Sequence, residues 1–147
     1  MTHKILRHEH LLVRATVKNP IKDVEVAKQW MLDLVEKVGM VVLAGPIASY
    51  CDVPGNEGIT AAVCLSTSHS ALHIWDSVEV PYINFDIYSC SAIDLDVVWQ
   101  HLLVMEPDYI EYKFLDRDQN FSLISEGSKM FGIPPGVGPD TSETAVS

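Results

Sequence analysis

Residues 82–90, Tyr-Ile-Asn-Phe-Asp-Ile-Tyr-Ser-Cys, alternate strictly between two kinds of side chain over most of their length. A period of two is that of an extended strand, so Ile83, Phe85 and Ile87 share one face. Tyr82, Asn84, Asp86, Tyr88 and Cys90 take the other. The apolar face belongs to a core, and a polar face opposite it meets either water or a site. The pattern recurs upstream. Ile59, Ala61, Val63 and Leu65 are set against Thr60, Ala62, Cys64 and Ser66, and in 70–75 Leu72 and Ile74 are set against His73 and Trp75. Such strands joined by short connections specify a mainly antiparallel sheet.

The remaining elements fit around that sheet. Residues 5–17 read as a first strand with His8 and His10 on one face, and Asn19-Pro20 as a turn. From Asp23, Ala27, Trp30, Met31, Leu34, Val35 and Val38 recur at helical spacing, and Gly39 is placed to stop the helix. Residues 40–48 form an apolar run containing Gly45-Pro46, expected to be a kinked or edge strand, with 49–58 a loop. After a turn at 76–81 and the strand 82–90, Ile93, Val97, Val98, His101, Leu102 and Met105 mark a second helix over 91–105. Pro107 ends it, and 109–115 is a last strand, with Tyr109, Glu111 and Lys113 set against Ile110, Tyr112 and Phe114. The order β-α-β-β-β-β-α-β predicts an α+β two-layer sandwich, mainly antiparallel, with both helices on one sheet face. Residues 1–133 make a single domain, and 134–147, rich in Pro, Gly, Ser and Thr, a disordered tail.

Composition narrows the function. A chain of 147 residues, 48% hydrophobic, is long enough for one core. A net charge of −10 argues against a nucleic-acid surface and is compatible with a cationic small substrate. Neither a signal peptide nor an apolar run of bilayer length is recognisable, so no membrane partner is expected. Cys51, Cys64 and Cys90 are odd in number and far apart, which suits a reducing cytoplasm better than a disulfide framework or zinc pairs.

The reactive groups concentrate in 66–75, Ser-Thr-Ser-His-Ser-Ala-Leu-His-Ile-Trp, with Cys90 on the following strand. His69 and His73 do not make a metal pair, because four residues of strand span about 13 Å. His8 and His10 lack an obvious third ligand nearby and read as strand histidines. No metal is assigned.

The run 59–75, with its Ser68-His69-x-x-x-His73-x-Trp75 core, and then Asp86-Ile87-Tyr88-Ser89-Cys90, resembles the prokaryotic S-adenosylmethionine decarboxylase family. That family carries Glu-Ser-His, Ile-His-Thr-Trp-Pro-Glu and Asp-Val-Phe-Thr-Cys-Gly at these places. Lys4-Ile5-Leu6-Arg7-His8 is similar to its Gly-Arg-His start. The resemblance spans about residues 4–115 and is specific in the Ser-His-x-x-x-His-x-Trp core. It implies a proenzyme that cuts itself and carries a covalent pyruvoyl group made from Ser68, and a homodimer. By matching position, His73 and Thr60 assist processing, Cys90 is the catalytic acid, and Glu79, after an insertion at Ser77-Val78, holds the substrate ribose.

The chemistry suits those residue types. Ser68 Oγ attacks the carbonyl of Thr67, turning amide into ester. A base, His73 in this reading, drives the elimination that splits the chain. Hydrolysis of the dehydroalanine left behind gives a ketone, which engages the substrate amine and takes up the electrons released as CO2 leaves. A thiol of ordinary pKa near 8.5 can return a proton to carbon. Three departures touch the pocket: Thr67 replaces the family's glutamate, Pro54 falls where its adenine-stacking aromatic stands, leaving Tyr50 as a substitute, and the insertion reshapes the loop beside Glu79. The expected activity is therefore decarboxylation of S-adenosylmethionine for polyamine (spermidine) synthesis. The alternatives are a pyruvoyl-dependent arginine or ornithine decarboxylase and an uncleaved binding or regulatory homologue.

Overall fold

The computed structural model describes residues 7–131 and the backbone of 141–145. Eight antiparallel strands form one sheet in the order β2-β3-β4-β5-β1-β6-β7-β8. They are β1 (Glu9–Val17), β2 (Val42–Cys51), β3 (Gly58–Leu65), β4 (Ser68–Trp75), β5 (Tyr82–Ser89), β6 (Pro107–Asp116), β7 (Ser122–Met130) and β8 (Thr141–Ala145). Two helices, α1 (Val24–Lys37) and α2 (Leu95–Leu102), cross one face, the second running into a short 3-10 turn at Leu103–Met105. The expected α+β two-layer sandwich is the observed one. β1, first in the chain, sits in the interior of the sheet between β5 and β6. α1 carries the chain from there to edge strand β2, and α2 carries it over β1 to β6.

Alternation decides which side chains are buried. Leu11, Val13, Ala15 and Val17 of β1, Leu72 and Ile74 of β4, and Ile83, Phe85 and Ile87 of β5 point under the helices and are at most 5% exposed. The faces assigned from sequence to β3, β4, β5 and β6 are the observed ones. Gly58 lies where β3 approaches β4 so closely that a Cβ would stand 1.8 Å from the Ile74 carbonyl oxygen, and its φ is +149°. Only glycine fits both demands.

α1 begins at Asp23, whose carboxylate accepts hydrogen bonds from the Glu25 and Val26 amides at 2.8 and 3.1 Å. It ends at Gly39 with φ +73°. The Gly39 amide bonds the Glu36 carbonyl and the Met40 amide the Val35 carbonyl, so the last turn is capped twice. Ala27, Trp30, Met31, Leu34 and Val35 form the buried stripe. The second helix is shorter than the expected 91–105. Asp94 caps it through the Asp96 amide, Trp99 joins its buried face, and Val97 is only half-buried.

Two further differences are local. The strand after α1 does not end at residue 48: it runs to Cys51, passing the cis Gly45-Pro46 bond as an irregularity in its register with β3. Strand β7 was not legible because its interior, Leu-Ile-Ser-Glu-Gly-Ser-Lys, lacks alternation; it is recruited by pairing with β6. Of the segment expected as a disordered tail, 134–140 and 146–147 lie outside the described residues, and the backbone of 141–145 pairs with β7. Residues 5 and 6 of the expected first strand also lie outside.

The helices are locked to each other by a reciprocal pair of bonds. Trp30 Nε1–H donates to the His101 carbonyl at 3.1 Å, and His101 Nε2–H donates to the Trp30 carbonyl at 2.8 Å. The rings pack 4.5 Å apart, and Lys37 Nζ donates to His101 Nδ1 at 3.1 Å. Burial first, and the Lys37 charge, push the imidazole below its ordinary pKa of 6.5, against the opposing pull of the Trp30 carbonyl and Asp33. The unfolded chain thus takes up a proton near pH 6.5 that the folded one resists. This contribution to stability is whole above pH 6.5 and is lost as pH falls below it. Thermal melts from pH 7.5 to 5.0 are expected to drop for the native chain and to drop less for His101→Gln; equal slopes would show that the clamp is not the titrating element.

Candidate active site

The residues singled out from sequence separate into two groups at opposite ends of the β3–β4 hairpin. At the turn, Leu65 pairs with Ser68 and the intervening Ser66-Thr67 reverse the chain. Thr67 takes a left-handed conformation, φ +59°. For a β-branched residue this costs on the order of 1–2 kcal/mol, held in place by the ladders on either side. Its hydroxyl donates to the Ser66 carbonyl at 2.7 Å. Ser68, first residue of β4, is 8% exposed, and its Oγ accepts the Cys90 amide hydrogen at 3.0 Å. Cys90 follows the end of β5, with Sγ 3.8 Å from the Ser66 carbonyl oxygen. Hydroxyl, strained peptide and thiol therefore share one end of the sheet.

The second group stands at the other end. Thr60 and His73 are cross-strand partners, with Thr60 Oγ1 3.2 Å from His73 Nδ1. Tyr50 of β2 donates its hydroxyl to Asp76 at 2.9 Å, and that carboxylate raises the phenol's pKa. Glu79 is exposed in the turn between β4 and β5. Ser68 and His73 do not converge within the chain: five residues along one strand separate them by about 16 Å and set their side chains on opposite faces. Strand ends thus bring Ser68 to Cys90 and Thr60 to His73, but not hydroxyl, imidazole and thiol all together.

The helix-covered face also holds polar groups that the sequence did not single out. Ser70 Oγ donates to the Asp86 carbonyl at 2.8 Å, and Ser89, fully buried, accepts the Ser91 amide at 2.9 Å. Glu9 lies opposite Ser89 in the β1–β5 ladder, 5% exposed, its carboxyl raised above the usual range mainly by burial and partly held down by Arg7 at 3.5 Å. An acid at the first residue of a strand carries no local signal of burial; the ladder buries it. On the open face, a groove of about 610 Å³ runs past Leu12, Arg14, His73, Asn84, Asp86 and Glu111. Arg14 rests over Tyr82, which stacks on Trp75 at 4.6 Å. His8 Nδ1 lies 2.7 Å from the Tyr88 hydroxyl, and His10 Nε2 lies 2.7 Å from Asp86 Oδ2.

A family profile described as S-adenosylmethionine decarboxylase matches residues 10–118. Among solved structures, an adenosylmethionine decarboxylase from Aquifex aeolicus VF5 shares the fold, with a TM-score of 0.58 at 17% identity over 93% of this chain and 100% of that one. A search of curated proteins found no match. The chain is thus a carboxy-lyase built as a two-layer α+β sandwich. It belongs to the S-adenosylmethionine decarboxylase family.

The strain at Thr67 is directly measurable. Thr67→Gly removes the Cβ that opposes φ +59°, so it is expected to keep the fold and to raise unfolding free energy by up to about 1 kcal/mol, read by denaturant titration of Ser68→Ala and Thr67→Gly/Ser68→Ala chains. A loss of stability would mean that the Thr67 hydroxyl bond to Ser66 outweighs the strain.

Proposed function

We propose that the chain is made as a proenzyme, cuts its own Thr67–Ser68 bond, and then decarboxylates S-adenosylmethionine to feed polyamine (spermidine) synthesis. The observation that carries this reading is the turn itself: a serine hydroxyl next to a peptide strained by a left-handed threonine, with the Cys90 amide on the hydroxyl oxygen. Ser68 Oγ attacks the Thr67 carbonyl carbon and the peptide nitrogen takes up the displaced proton, leaving an ester. Loss of the Ser68 α-proton then breaks the ester C–O bond, releasing a new C-terminus at Thr67. Hydrolysis of the remaining dehydroalanine leaves a pyruvoyl group at the new N-terminus and frees ammonia.

The residues fit such a group: Ser68 lies beside both a strained acyl bond and the residue that carries the thiol. When bound, the pyruvoyl ketone supplies the electron sink for decarboxylation. Cys90 Sγ, at the same end of the sheet, holds the proton to be delivered to the substrate carbon. Tyr50, beside Asp76, and Glu79 lie at the His73 end of the hairpin and would offer a stacking surface and a carboxylate for the nucleoside part of the substrate from a second copy.

His73 and Thr60 stand too far from Ser68 to serve it within one chain. A second copy related by a twofold axis across the strands would bring the Thr60–His73 end of one hairpin to the Ser68 end of the other, because such an axis reverses strand direction. Exposed apolar side chains support such a homodimer: Leu12 on the open face, and Leu43, Ile47 and Tyr50 on edge strand β2. Among the described residues no helix is long and apolar enough to cross a membrane, and no disulfide is formed. Both features support a reducing, cytoplasmic setting.

Mass spectrometry of the denatured protein tests the cut: fragments 1–67 and 68–147 are expected, and Ser68→Ala should leave one intact chain. An intact native chain would remove the proenzyme. Cys90→Ala should still be cut but release CO2 from S-adenosylmethionine at least about a hundredfold more slowly; unchanged turnover takes Cys90 out of the reaction. Co-expression tests the second copy. His73→Ala alone should process poorly, and addition of a Ser68→Ala chain should restore cleavage to the His73→Ala chain in mixed dimers. No rescue would place the action of His73 within its own chain.

A further inference from the structure

On the open face, His10 of β1 and His69 of β4 flank β5 from either side, both in register with Tyr88. Both rings lean toward Asp86, two residues along the same face. His10 Nε2 and His69 Nε2 lie 2.7 and 3.6 Å from the same carboxylate oxygen, Oδ2. One donor atom from each of the three residues falls within 4.8 Å of the others. We propose that His10, His69 and Asp86 form a binding site for a divalent transition-metal ion of the zinc type, with a fourth position open to water. The inference is independent of the decarboxylase reading and uses none of the residues assigned to it.

The donor set suits that class of ion, because two imidazole nitrogens and one carboxylate oxygen are ligands that zinc accepts. Bonds of about 2.0–2.2 Å in a tetrahedral shell set ligand atoms roughly 3.3 Å apart. The observed 2.7 and 3.6 Å bracket that spacing. The side chains are 16%, 47% and 24% exposed for His10, His69 and Asp86, so each has room to adjust by a few tenths of an ångström. Without an ion, the proton on His10 Nε2 fills the same role and donates to Asp86.

Arg117 works against loading. Its Nη1 lies 3.5 Å from His10 Nδ1 while the guanidinium rests 4.2 Å over the Tyr88 ring. With the proton on Nε2, Nδ1 is free to accept from Arg117. An ion on Nε2 instead leaves the proton on Nδ1, where a metal-bound imidazole needs an acceptor and here meets a second donor and a positive charge. An arriving ion therefore displaces Arg117, and affinity is lower than the donor set alone would give. Once bound, the ion ties β4 to β1 across β5 at the residue immediately after Ser68.

The test is a titration of the full-length chain, first stripped with chelator, with Co2+ followed by its visible absorption and with Zn2+ by calorimetry. One saturable ion per chain is expected. His69→Gln and Asp86→Asn should each weaken binding at least tenfold while circular dichroism confirms the fold. Arg117→Ala should tighten it about tenfold. No saturable ion in the native chain, or an affinity unchanged in His69→Gln, overturns the site. Unchanged affinity in Arg117→Ala overturns the opposition assigned to that residue.

Discussion

A strand sends successive side chains to opposite faces, and in this sheet helices cover only one of them. Everything that positions chemistry follows from that constraint. On the covered face, Leu, Ile, Val and Phe supply the burial that stabilises the domain, at about 25 cal/mol per Å² of apolar surface removed from water. The open face is spared that demand and carries histidines, acids and tyrosines. Those side chains are ordered by each other: His10 on Asp86, His8 on Tyr88, Arg14 on Tyr82.

The covered face is not wholly apolar. Glu9, Ser68, Ser70 and Ser89 are buried there, mostly toward the end of the sheet where Cys90 stands. The three serine hydroxyls bond nearby backbone, so the cost of burying them is small. The same bonds hold Ser68 in a fixed place beside the strained turn. The helices above are fixed independently, through the mutual bonds of Trp30 and His101. The hairpin turn of the proposed site thus rests on the two-layer frame, while Thr60 and His73 lie at the hairpin's far end.

Much of this was legible residue by residue. Period-two alternation identified the core faces of β3, β4, β5 and β6, and helical spacing with Asp23 and Gly39 located α1 within a residue or two. The motif around Ser68, His73 and Cys90 led to the right family. Strand β7 escaped because a segment with Ser, Glu and Gly at its centre is extended only while β6 is there to pair with it. The extension of β2 to Cys51 escaped for the same reason: β3 supplies the hydrogen bonds that its local sequence does not call for.

The sequence by itself determined the class of fold, because hydrophobic periodicity is a local property and each element displays its own. It also determined the reactive residue types, since a hydroxyl or a thiol keeps its chemistry wherever it lies. Only the tertiary structure decided which of them meet. Strand register joined Ser68 to Cys90, parted Ser68 from His73, and gathered His10, His69 and Asp86 from positions up to 76 residues apart. Proximity of that kind is fixed by long-range backbone pairing, which no local pattern of side chains encodes.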